Sequence, residues 1–321
     1  MLKTWVLCVV APIGATVSSR DEAIMAKIPS AYLDFVVALG QETAPAQVNW
    51  FATATLYAEV TKREPDGRKF WYAPWLITCR HNFLREDKRT SEDSLLIRLN
   101  LKSGEPKTFS ITLVVEGRQI WAGHPDESVD IAAFPLPGSA LRELDVTEAF
   151  LQSDAQCWSV AQMREAELSE GDGVYVLGYP MGIMSRGLQR AVCRSGCMAR
   201  IRDFYDDQSQ PFLIDAQVFP GNSGGLVITC PDLTTLEGSK AITKAAAIGI
   251  VTSVETHWSR GRLDDGTPVR VMDPAGIGGV LPMDRVVETI AYYRASSSAK
   301  PPAVEQDTPA PVAAGRSLAH G

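Results

Sequence analysis

Short apolar segments separated by turn-forming residues dominate this chain between about residues 30 and 282. Gly, Pro, Asp or Ser residues stand between one segment and the next, as is typical of successive strands. Long helical periodicity is absent from this region, so a parallel sheet with crossover helices is not predicted. We therefore expect an all-β fold, either a sandwich or a barrel. The candidate strands are 33–40, 50–60, 70–78, 94–101, 110–117, 129–136, 173–180, 211–219, 225–230, 245–254 and 278–283.

One domain at 29–295 is expected between an N-terminal extension at 1–28 and a tail at 296–321. The tail is rich in Pro, Ala and Ser and poor in large apolar residues, which predicts disorder. Within the domain the strand pattern is weakest at 137–160, so this segment is interpreted as a linker between two halves. The halves so defined are 29–136 and 161–282.

The last part of the domain carries a helical pattern. Val286, Val287, Ile290 and Tyr293 fall on one face when the residues after Pro282 are placed on a helix. Proline is favoured at the start of a helix because its fixed φ suits the first turn. An amphipathic C-terminal helix is therefore predicted at 283–295.

The N-terminal residues are compatible with more than one cellular location. A short apolar run at 5–11 follows a single lysine and precedes Val17, Ser18 and Ser19, a tolerable cleavage pattern for a secretory signal. Pro12 interrupts the apolar part, so a plain N-terminal extension is an equal alternative. Secreted or periplasmic and cytoplasmic locations both remain compatible with the sequence.

Composition excludes some classes of partner. The formal net charge is −7 and the pI is about 5.3, whereas proteins that bind nucleic acids usually present a basic face. No apolar run is long enough to span a membrane. The six cysteines form no CxxC pair, and even Cys193 and Cys197 lack further nearby ligands, so no metal site is predicted. Buried thiols are expected, with one or two disulfides left open for an exported protein.

The segment FPGNSGGLV at 219–227 places Ser223 among three glycines, Gly221, Gly224 and Gly225. Glycine is costly to order and is used where the backbone needs unusual angles or approaches another group closely. A tight turn between two strands is one interpretation. The other is a nucleophilic serine on a strained loop, with backbone N–H groups facing a developing negative charge.

A serine nucleophile needs a base, and histidine is the usual one because its pKa lies near neutrality. Of the four histidines, His81 is the best placed, since it directly follows an apolar strand in WLITCRHNF. The base needs an orienting carboxylate that is at least partly buried. Asp130 satisfies this in SVDIAAFPL, whereas Asp126 and Glu127 lie in a more polar loop.

Taken together, WLITCRHNF, SVDIAAFPL and FPGNSGGLV resemble the three catalytic motifs of trypsin-like serine peptidases, in that family's order. GDGVYVLGYP at 171–180 and AIGIVTSV at 247–254 are similar to two further strands of the family. The resemblance covers about 30–295 and is strongest to bacterial members. It implies an all-β fold of two antiparallel barrels of the chymotrypsin type with a C-terminal helix, the barrels corresponding to the two halves.

The resemblance also implies a role for each motif residue. Ser223 would attack the substrate carbonyl, His81 would act as general base and then acid, and Asp130 would orient the imidazole. The backbone N–H groups of Gly221 and Ser223 would form the oxyanion hole. The expected activity is that of a serine endopeptidase acting on proteins or peptides, with no metal or organic cofactor. Oligomeric state is not predicted.

Some positions depart from the family pattern. Asn222 stands where digestive relatives carry an aspartate that receives a newly cut N-terminus, so that activation route is not expected. The segment 52–55, Ala-Thr-Ala-Thr, replaces a Gly-Ser/Thr-Gly-Phe-like stretch before the histidine strand. Cys79 and Arg80 are larger than the residues usual before the histidine. None of these changes removes a catalytic atom.

Substrate-binding residues are assigned by the same resemblance. Gln217 lies where trypsin has its pocket-base aspartate, so cleavage after Arg or Lys is not expected. Thr252, Ser253 and Val254 would form the edge of the substrate groove. A valine there narrows the pocket, which predicts a preference for small aliphatic residues before the cut.

Two other interpretations remain. A catalytically silent relative would use the same groove to bind peptides or proteins without cutting them. A β-rich binding protein that matches the motifs by chance would not react with a serine-directed phosphonate at all.

Overall fold

In the computed structural model of this protein, about half of the described residues lie in strands. The described residues are 7–9, 28–44, 47–63, 70–84, 93–138, 141, 145–146, 149–185, 187–208, 210–232 and 240–298. The fold class expected from the sequence is confirmed: the protein is mainly β, with few helices and a closed second barrel.

The first half is built from short and long strands that pair mostly antiparallel. They are β1 (Leu7–Val9), β2 (Val36–Ala44), β3 (Gln47–Arg63), β4 (Phe70–Thr78), β5 (Ser94–Asn100), β6 (Pro106–Thr112), β7 (Val114–Val115), β8 (Arg118–Gln119), β9 (Ala122–Gly123), β10 (Ala132–Pro135) and β11 (Leu151–Gln152). The main sheet has the order β6-β5-β2-β3-β4-β10-β9, with β1 on β4 and β11 on β3, while β7 and β8 form a separate hairpin.

This sheet curls around its own core. β5 alternates buried Leu95, Ile97 and Leu99 with more exposed residues, the period of a strand with one face inward. Ile111, from β6 at one end of the sheet, and Ala132, from β10 towards the other, belong to the same apolar cluster. Both ends of the sheet therefore contact one core, although β6 and β9 are not paired.

The second half is a closed six-stranded barrel. Its strands are β12 (Gly173–Gly178), β13 (Val192–Arg200), β14 (Phe212–Asp215), β15 (Leu226–Thr229), β16 (Ala247–Arg262) and β17 (Pro268–Pro282), paired in the order β12-β13-β14-β17-β16-β15 and back to β12. Full closure removes the edge strands that would otherwise pair with other chains.

β13 was not among the strands expected from the sequence. Its residues, VCRSGCMAR, include two arginines and several small side chains, and most of them are at least partly exposed. Its neighbours β12 and β14 supply hydrogen bonds along both sides. Tertiary pairing therefore overrides a weak local pattern.

β16 and β17 continue beyond the barrel as a two-stranded ribbon. In it, residues 256–262 pair with 268–274 in continuous register. Trp258 and Met272 face each other across the ribbon and are 60% and 56% exposed. The ribbon begins directly after Val254, at the predicted edge of the substrate groove.

The α-helices whose bounds fall within the described residues are short, apart from the last. They are α1 (Ala31–Asp34), α2 (Val160–Glu165), α3 (Arg202–Asp206) and α4 (Met283–Ser298). α2 begins with a capping box in which the Ser159 hydroxyl accepts the Gln162 N–H and the Gln162 side chain accepts the Ser159 N–H. Within the described residues no helix is long and apolar enough to cross a membrane.

α4 starts where the sequence predicts and crosses from the second barrel to the first half. Val286 and Ile290 are fully buried in the apolar cluster shared by the halves, and Tyr293 packs edge-to-face on Trp75 at 5.3 Å. Val287, which was placed on the same face, is instead 49% exposed. Apolar side chains at positions i, i+4 and i+7 are therefore enough to pack the helix against the core.

The predicted end of the C-terminal helix and the predicted N-terminal extension both differ in part from the structure. α4 runs to Ser298, beyond the predicted helix end at 295 and into the predicted tail. β1 lies inside the predicted N-terminal extension and pairs with β4. The tail after Ser298 lies outside the described residues, as does the candidate secretory signal apart from residues 7–9, so the tail and the signal remain predictions.

Two substitutions in α4, one buried and one exposed, test how the helix packs on the first half. Ile290→Ala is expected to lower the free energy of unfolding by about 2–5 kcal/mol, because it leaves a cavity in the shared core. Val287→Ala, on the exposed side of the same helix, should change it by less than about 1 kcal/mol. Urea unfolding of both variants measures this, and equal losses would contradict the docking described here.

Candidate active site

His81 and Asp130 are brought together by the pairing of β4 with β10. Ala132 lies opposite Thr78, so the residues just beyond these strand ends meet. The Asp130 carboxylate contacts the His81 ring, with 2.5 Å between Nδ1 and Oδ2, and its Oδ1 accepts the His81 backbone N–H at 3.0 Å. Because Nδ1 faces a carboxylate, it carries the ring proton and leaves Nε2 as an acceptor. His81 is half exposed and Asp130 less so.

The neighbouring carboxylates have other partners. Asp126 accepts hydrogen bonds from the N–H and hydroxyl of Ser128, which lower the pKa of its carboxyl group. Glu127 lies 3.9 Å from a guanidinium nitrogen of Arg80. Of the three acidic residues considered from the sequence, Asp130 is the one in contact with His81.

His124, set aside as a base, supports the loop that carries Asp130. Its backbone N–H donates to Ile131 O at 3.0 Å, and its Nδ1 accepts the Asp126 N–H at 3.0 Å. Its Nε2 therefore carries the proton and donates to Glu288 of α4 at 2.8 Å. Burial alone would raise the pKa of Glu288, but hydrogen bonds from Arg285 and His124 outweigh it and lower the pKa.

The other two histidines lie elsewhere. His257 is exposed on the β16–β17 ribbon, beside the Ser259 hydroxyl at 3.4 Å. His320 lies outside the described residues. His81 is therefore the histidine in contact with Asp130, whereas His124 bonds to Glu288 of α4.

The loop that carries Ser223 is tied to the first half by the hydroxyl of Thr53. Thr53 Oγ1 donates to Gly221 O at 2.5 Å and accepts the Tyr179 N–H at 2.9 Å. The Thr53 backbone N–H donates to Ser223 O at 3.1 Å. Thr55 adds a hydrogen bond from its hydroxyl to Gly224 O at 3.1 Å. The Ala-Thr-Ala-Thr segment thus supplies the contacts between β3 and the serine loop.

Asn82 links this loop to the turn that carries His81. The 3₁₀ turn Arg80–Asn82 follows β4 directly. Asn82 Nδ2 lies 3.2 Å from Ser223 O and 2.9 Å from the Thr78 hydroxyl. The backbone of Ser223 is therefore fastened beside His81. Among the described residues, however, the Ser223 hydroxyl makes no hydrogen bond to the His81 ring.

Two backbone N–H groups of the loop are not used for folding. Pro220 O accepts from Met181 N at 2.7 Å, and Asn222 O accepts from Gly225 N at 2.8 Å. In a trans peptide the N–H points away from the C=O, so the N–H groups of Gly221 and Ser223 point away from these partners. Neither N–H donates a hydrogen bond within the described part of the chain.

Glycine is required at two of the loop positions. Gly221 and Gly224 have φ of +97° and +89°, which side chains rarely tolerate. A Cβ on Gly221 would lie 2.5 Å from Tyr179 O, and one on Gly224 would overlap Thr53 O. The close approach of β3 to the loop therefore depends on both glycines.

Asn222 is buried and stabilises the loop from within. Its Oδ1 accepts the Phe219 N–H at 3.1 Å, and its backbone N–H donates to Phe219 O at 3.0 Å. An aspartate here would place a charge in a site that is 1% exposed.

Of the predicted substrate-binding residues, Thr252, Ser253 and Val254 lie on β16, and Gln217 follows β14; both strands pair with β17. Gln217 is exposed, and its Oε1 lies 3.4 Å from Nη1 of Arg194 on β13. Ser253 is exposed opposite Gly279, whereas Thr252 is buried. Val254 packs partly against the barrel core, so only part of its side chain is available to narrow a groove.

Arg194 was not identified from the sequence. It lies in the strand that the local pattern missed, and its guanidinium stacks on the Phe219 ring at 4.9 Å. This places a positive charge next to Gln217, the residue at the predicted base of the pocket. No local sequence signal identifies Arg194, because β13 pairs with this region only in the folded barrel.

A family model of the trypsin-like peptidase domain matches residues 60–232, more than half of the chain. The chain belongs to the trypsin-like peptidase family. The match includes His81, Asp130 and Ser223 and ends before β16. No curated protein matches the chain.

Cys79 is another departure from the trypsin-like pattern close to the site. It is fully buried, and its thiol donates to Val251 O at 3.2 Å. Burial raises the pKa of this thiol, and Asp130 adds to the increase. Cys79, His81 and Asp130 offer ligand atoms within 4.8 Å of one another. A thiol held protonated and a carboxylate already bonded to the histidine form a poor metal site.

Thr53→Val tests the hydroxyl that joins this trypsin-like domain's two halves. The substitution keeps the shape but leaves Gly221 O and Tyr179 N without this partner, at about 1–3 kcal/mol for each buried group. The free energy of unfolding should fall accordingly in a urea titration. Thr108→Val, on the exposed face of β6, is the control and should have little effect. If the two variants have equal free energies of unfolding, the Thr53 hydroxyl is not needed for stability.

Proposed function

We propose that this trypsin-like peptidase is a serine endopeptidase that uses Ser223, His81 and Asp130 and forms an acyl-enzyme intermediate. The observation that carries the proposal is the double hydrogen bond from His81 to Asp130, next to a serine loop with two unused N–H groups. A histidine held at both its backbone and Nδ1 has a fixed orientation, and its Nε2 is left to act as a base.

The proposed reaction begins when Ser223 Oγ attacks the substrate carbonyl and His81 Nε2 takes its proton. The Asp130 carboxylate stabilises the imidazolium that results. The N–H groups of Gly221 and Ser223 donate to the oxyanion of the tetrahedral intermediate, which collapses to an acyl-enzyme as His81 protonates the leaving amine. Water, activated by the same histidine, then releases the acid.

A catalytically silent peptide-binding relative is the second candidate. The observation in its favour is the missing hydrogen bond between the Ser223 hydroxyl and His81 among the described residues. Catalytic hydrogen bonds are often long before substrate binds and tighten in the complex. We therefore prefer the enzyme, and reactivity towards a covalent probe separates the two.

Labelling with a fluorophosphonate probe tests the proposed nucleophile. The wild-type protein should be labelled, and Ser223→Ala and His81→Ala should abolish labelling. Asp130→Asn should lower the rate of peptide hydrolysis by about 10⁴ because it disturbs the tautomer of His81. Ser195→Ala, at an exposed position of β13, is the matched control and should be labelled normally. Folded wild-type protein that binds peptide but resists labelling would instead support the silent relative.

We further propose that the enzyme prefers small aliphatic residues such as Ala or Val before the cleaved bond. Gln217 carries no charge to attract Arg or Lys. Val254, assigned to the edge of the groove, is partly exposed and would narrow the pocket.

A peptide-library cleavage profile measures this preference. Ala and Val should dominate the position before the cut. A profile dominated by Arg or Lys would contradict the proposal. One dominated by Asp or Glu would also contradict it, and would point to Arg194 as the determinant.

A further inference from the structure

The β16–β17 ribbon has one face on which every residue is exposed. Residues that pair directly across an antiparallel ribbon project to the same side, and so do residues two positions apart along a strand. The Arg270 guanidinium lies over the Trp258 ring, 5.9 Å from its centroid, as expected for residues on a shared face. The residues of this arginine face are Thr256, Trp258, Arg260, Arg262, Pro268, Arg270, Met272 and Pro274.

The arginine face carries three positive charges and no carboxylate. The acidic residues of the ribbon lie elsewhere. Asp273 projects to the opposite face, Glu255 lies at the base, and Asp264 and Asp265 form the turn at the tip. Within the described part of the chain, no arginine of this face forms an ion pair. The face is therefore a local positive surface on a protein whose formal net charge is −7.

Two of the arginines stand directly opposite each other. Arg260 pairs with Arg270 in the ribbon register. The Cβ atoms of such partners are about 4.5–5.5 Å apart, and like charges in this arrangement are destabilising. A carboxylate bound between the two guanidinium groups would offset the repulsion, and the planar fork of arginine matches the geometry of a carboxylate. This pair therefore points to an acidic ligand.

The next row of the face, nearer the barrel, is apolar. It consists of Trp258 and Met272, which are 60% and 56% exposed. Tryptophan and arginine are the residues most often responsible for binding energy at protein interfaces. Successive rows are about 6.5–7 Å apart, because each row is two residues further along the strand. The face thus presents one apolar row followed by two rows that contain arginine, the second being Arg262 opposite Pro268.

We propose that the arginine face binds an extended acidic segment of a protein substrate. An extended peptide repeats its side-chain direction every two residues, with the same spacing as the rows of the face. An apolar side chain would contact Trp258 and Met272, and acidic side chains at the next two alternate positions would contact the arginines. The segment is a part of a substrate only if the proposed endopeptidase activity is correct, whereas the binding itself does not depend on that activity.

The position of the face suits a segment of the substrate outside the groove. β16 runs from Val254, at the predicted edge of the groove, into the ribbon without a break. Trp258 is four residues further on, roughly 13 Å along the strand. A peptide chain held in the groove can therefore reach the face with a few additional residues.

Other occupants fit the face less well. An anionic membrane approached by the tip would meet the carboxylates of Asp264 and Asp265. A second copy of the chain, docked face to face, would bring arginines together. A single-stranded nucleic acid could stack on Trp258, but the net charge of the protein opposes its approach.

Fluorescence anisotropy of a labelled peptide that contains Leu-Ser-Glu-Ser-Glu tests the proposal. The protein is the full chain carrying Ser223→Ala, so that the probe is not cut. The peptide should bind, and Leu-Ser-Gln-Ser-Gln should bind at least about tenfold more weakly, because it lacks the charges that the arginines recognise. Leu-Glu-Glu-Ser-Ser has the same composition but projects its two acids to opposite sides. It should bind about threefold or more weakly than the first peptide.

Variants of the same chain locate the site. Arg260→Gln, Arg270→Gln and Trp258→Ala should each weaken binding of the Leu-Ser-Glu-Ser-Glu peptide about three- to tenfold. Arg118→Gln, at an exposed position of β8, and Val271→Ala, on the opposite face of the ribbon, are the controls and should not weaken it. All five side chains are exposed, so the variants should fold like the parent protein, which circular dichroism checks.

The proposal is overturned if the first peptide does not bind, if the glutamine peptide binds equally well, or if the Arg260 and Arg270 variants bind like the parent. Phosphatidylserine vesicles or an oligothymidylate that bind the face more tightly than the peptide would also overturn it, since the partner would then be a membrane or a nucleic acid. Both serve as competitors in the same measurement.

This test is separate from the test of the catalytic proposal. Fluorophosphonate labelling of the wild-type protein without binding of the acidic peptide would overturn the arginine face and leave the enzyme in place. Binding of the peptide without labelling would support the arginine face and count against the proposed activity.

Discussion

The hydroxyl of Thr53 is the contact on which the candidate active site depends. It donates to the loop before Ser223 and accepts from the backbone that follows β12, so one buried oxygen fastens the second barrel to the first half. The conformation of the serine loop is matched to this contact. Gly221 and Gly224 leave room for the approach of β3, and the carbonyl groups of the loop turn inwards. The N–H groups of Gly221 and Ser223 consequently make no hydrogen bond within the described part of the chain.

The histidine side of the site is organised differently, through the C-terminal helix. Asp130 orients His81, and the loop that carries Asp130 is supported by His124, which bonds to Glu288 on α4. The helix belongs to the second barrel in sequence but packs on the first half. Both sides of the site are therefore held by contacts between the halves, and the site is a property of their assembly.

Most of the fold could be predicted from local sequence, and the assignment of His81, Asp130 and Ser223 to a catalytic site remains a prediction from their motifs. Alternating apolar runs and turn residues gave most of the strands, and β13 was missed because its exposed face carries small and charged residues. The neighbours that position the site could not be predicted. The contacts of Thr53 and Asn82 join residues more than 100 positions apart, and a threonine or asparagine side chain does not specify its partner locally. The same holds for Arg194 beside Gln217.

The spread of these contacts along the chain also has a consequence during synthesis. Thr53 and Gly221 are 168 positions apart, and the barrel that carries Ser223 closes only when β17 pairs with β14 and β16. Long-range pairings of this kind form late in folding. A growing chain on the ribosome therefore cannot complete the site until nearly all of the domain has emerged. The topology itself delays assembly of the candidate active site until translation of the domain is almost finished.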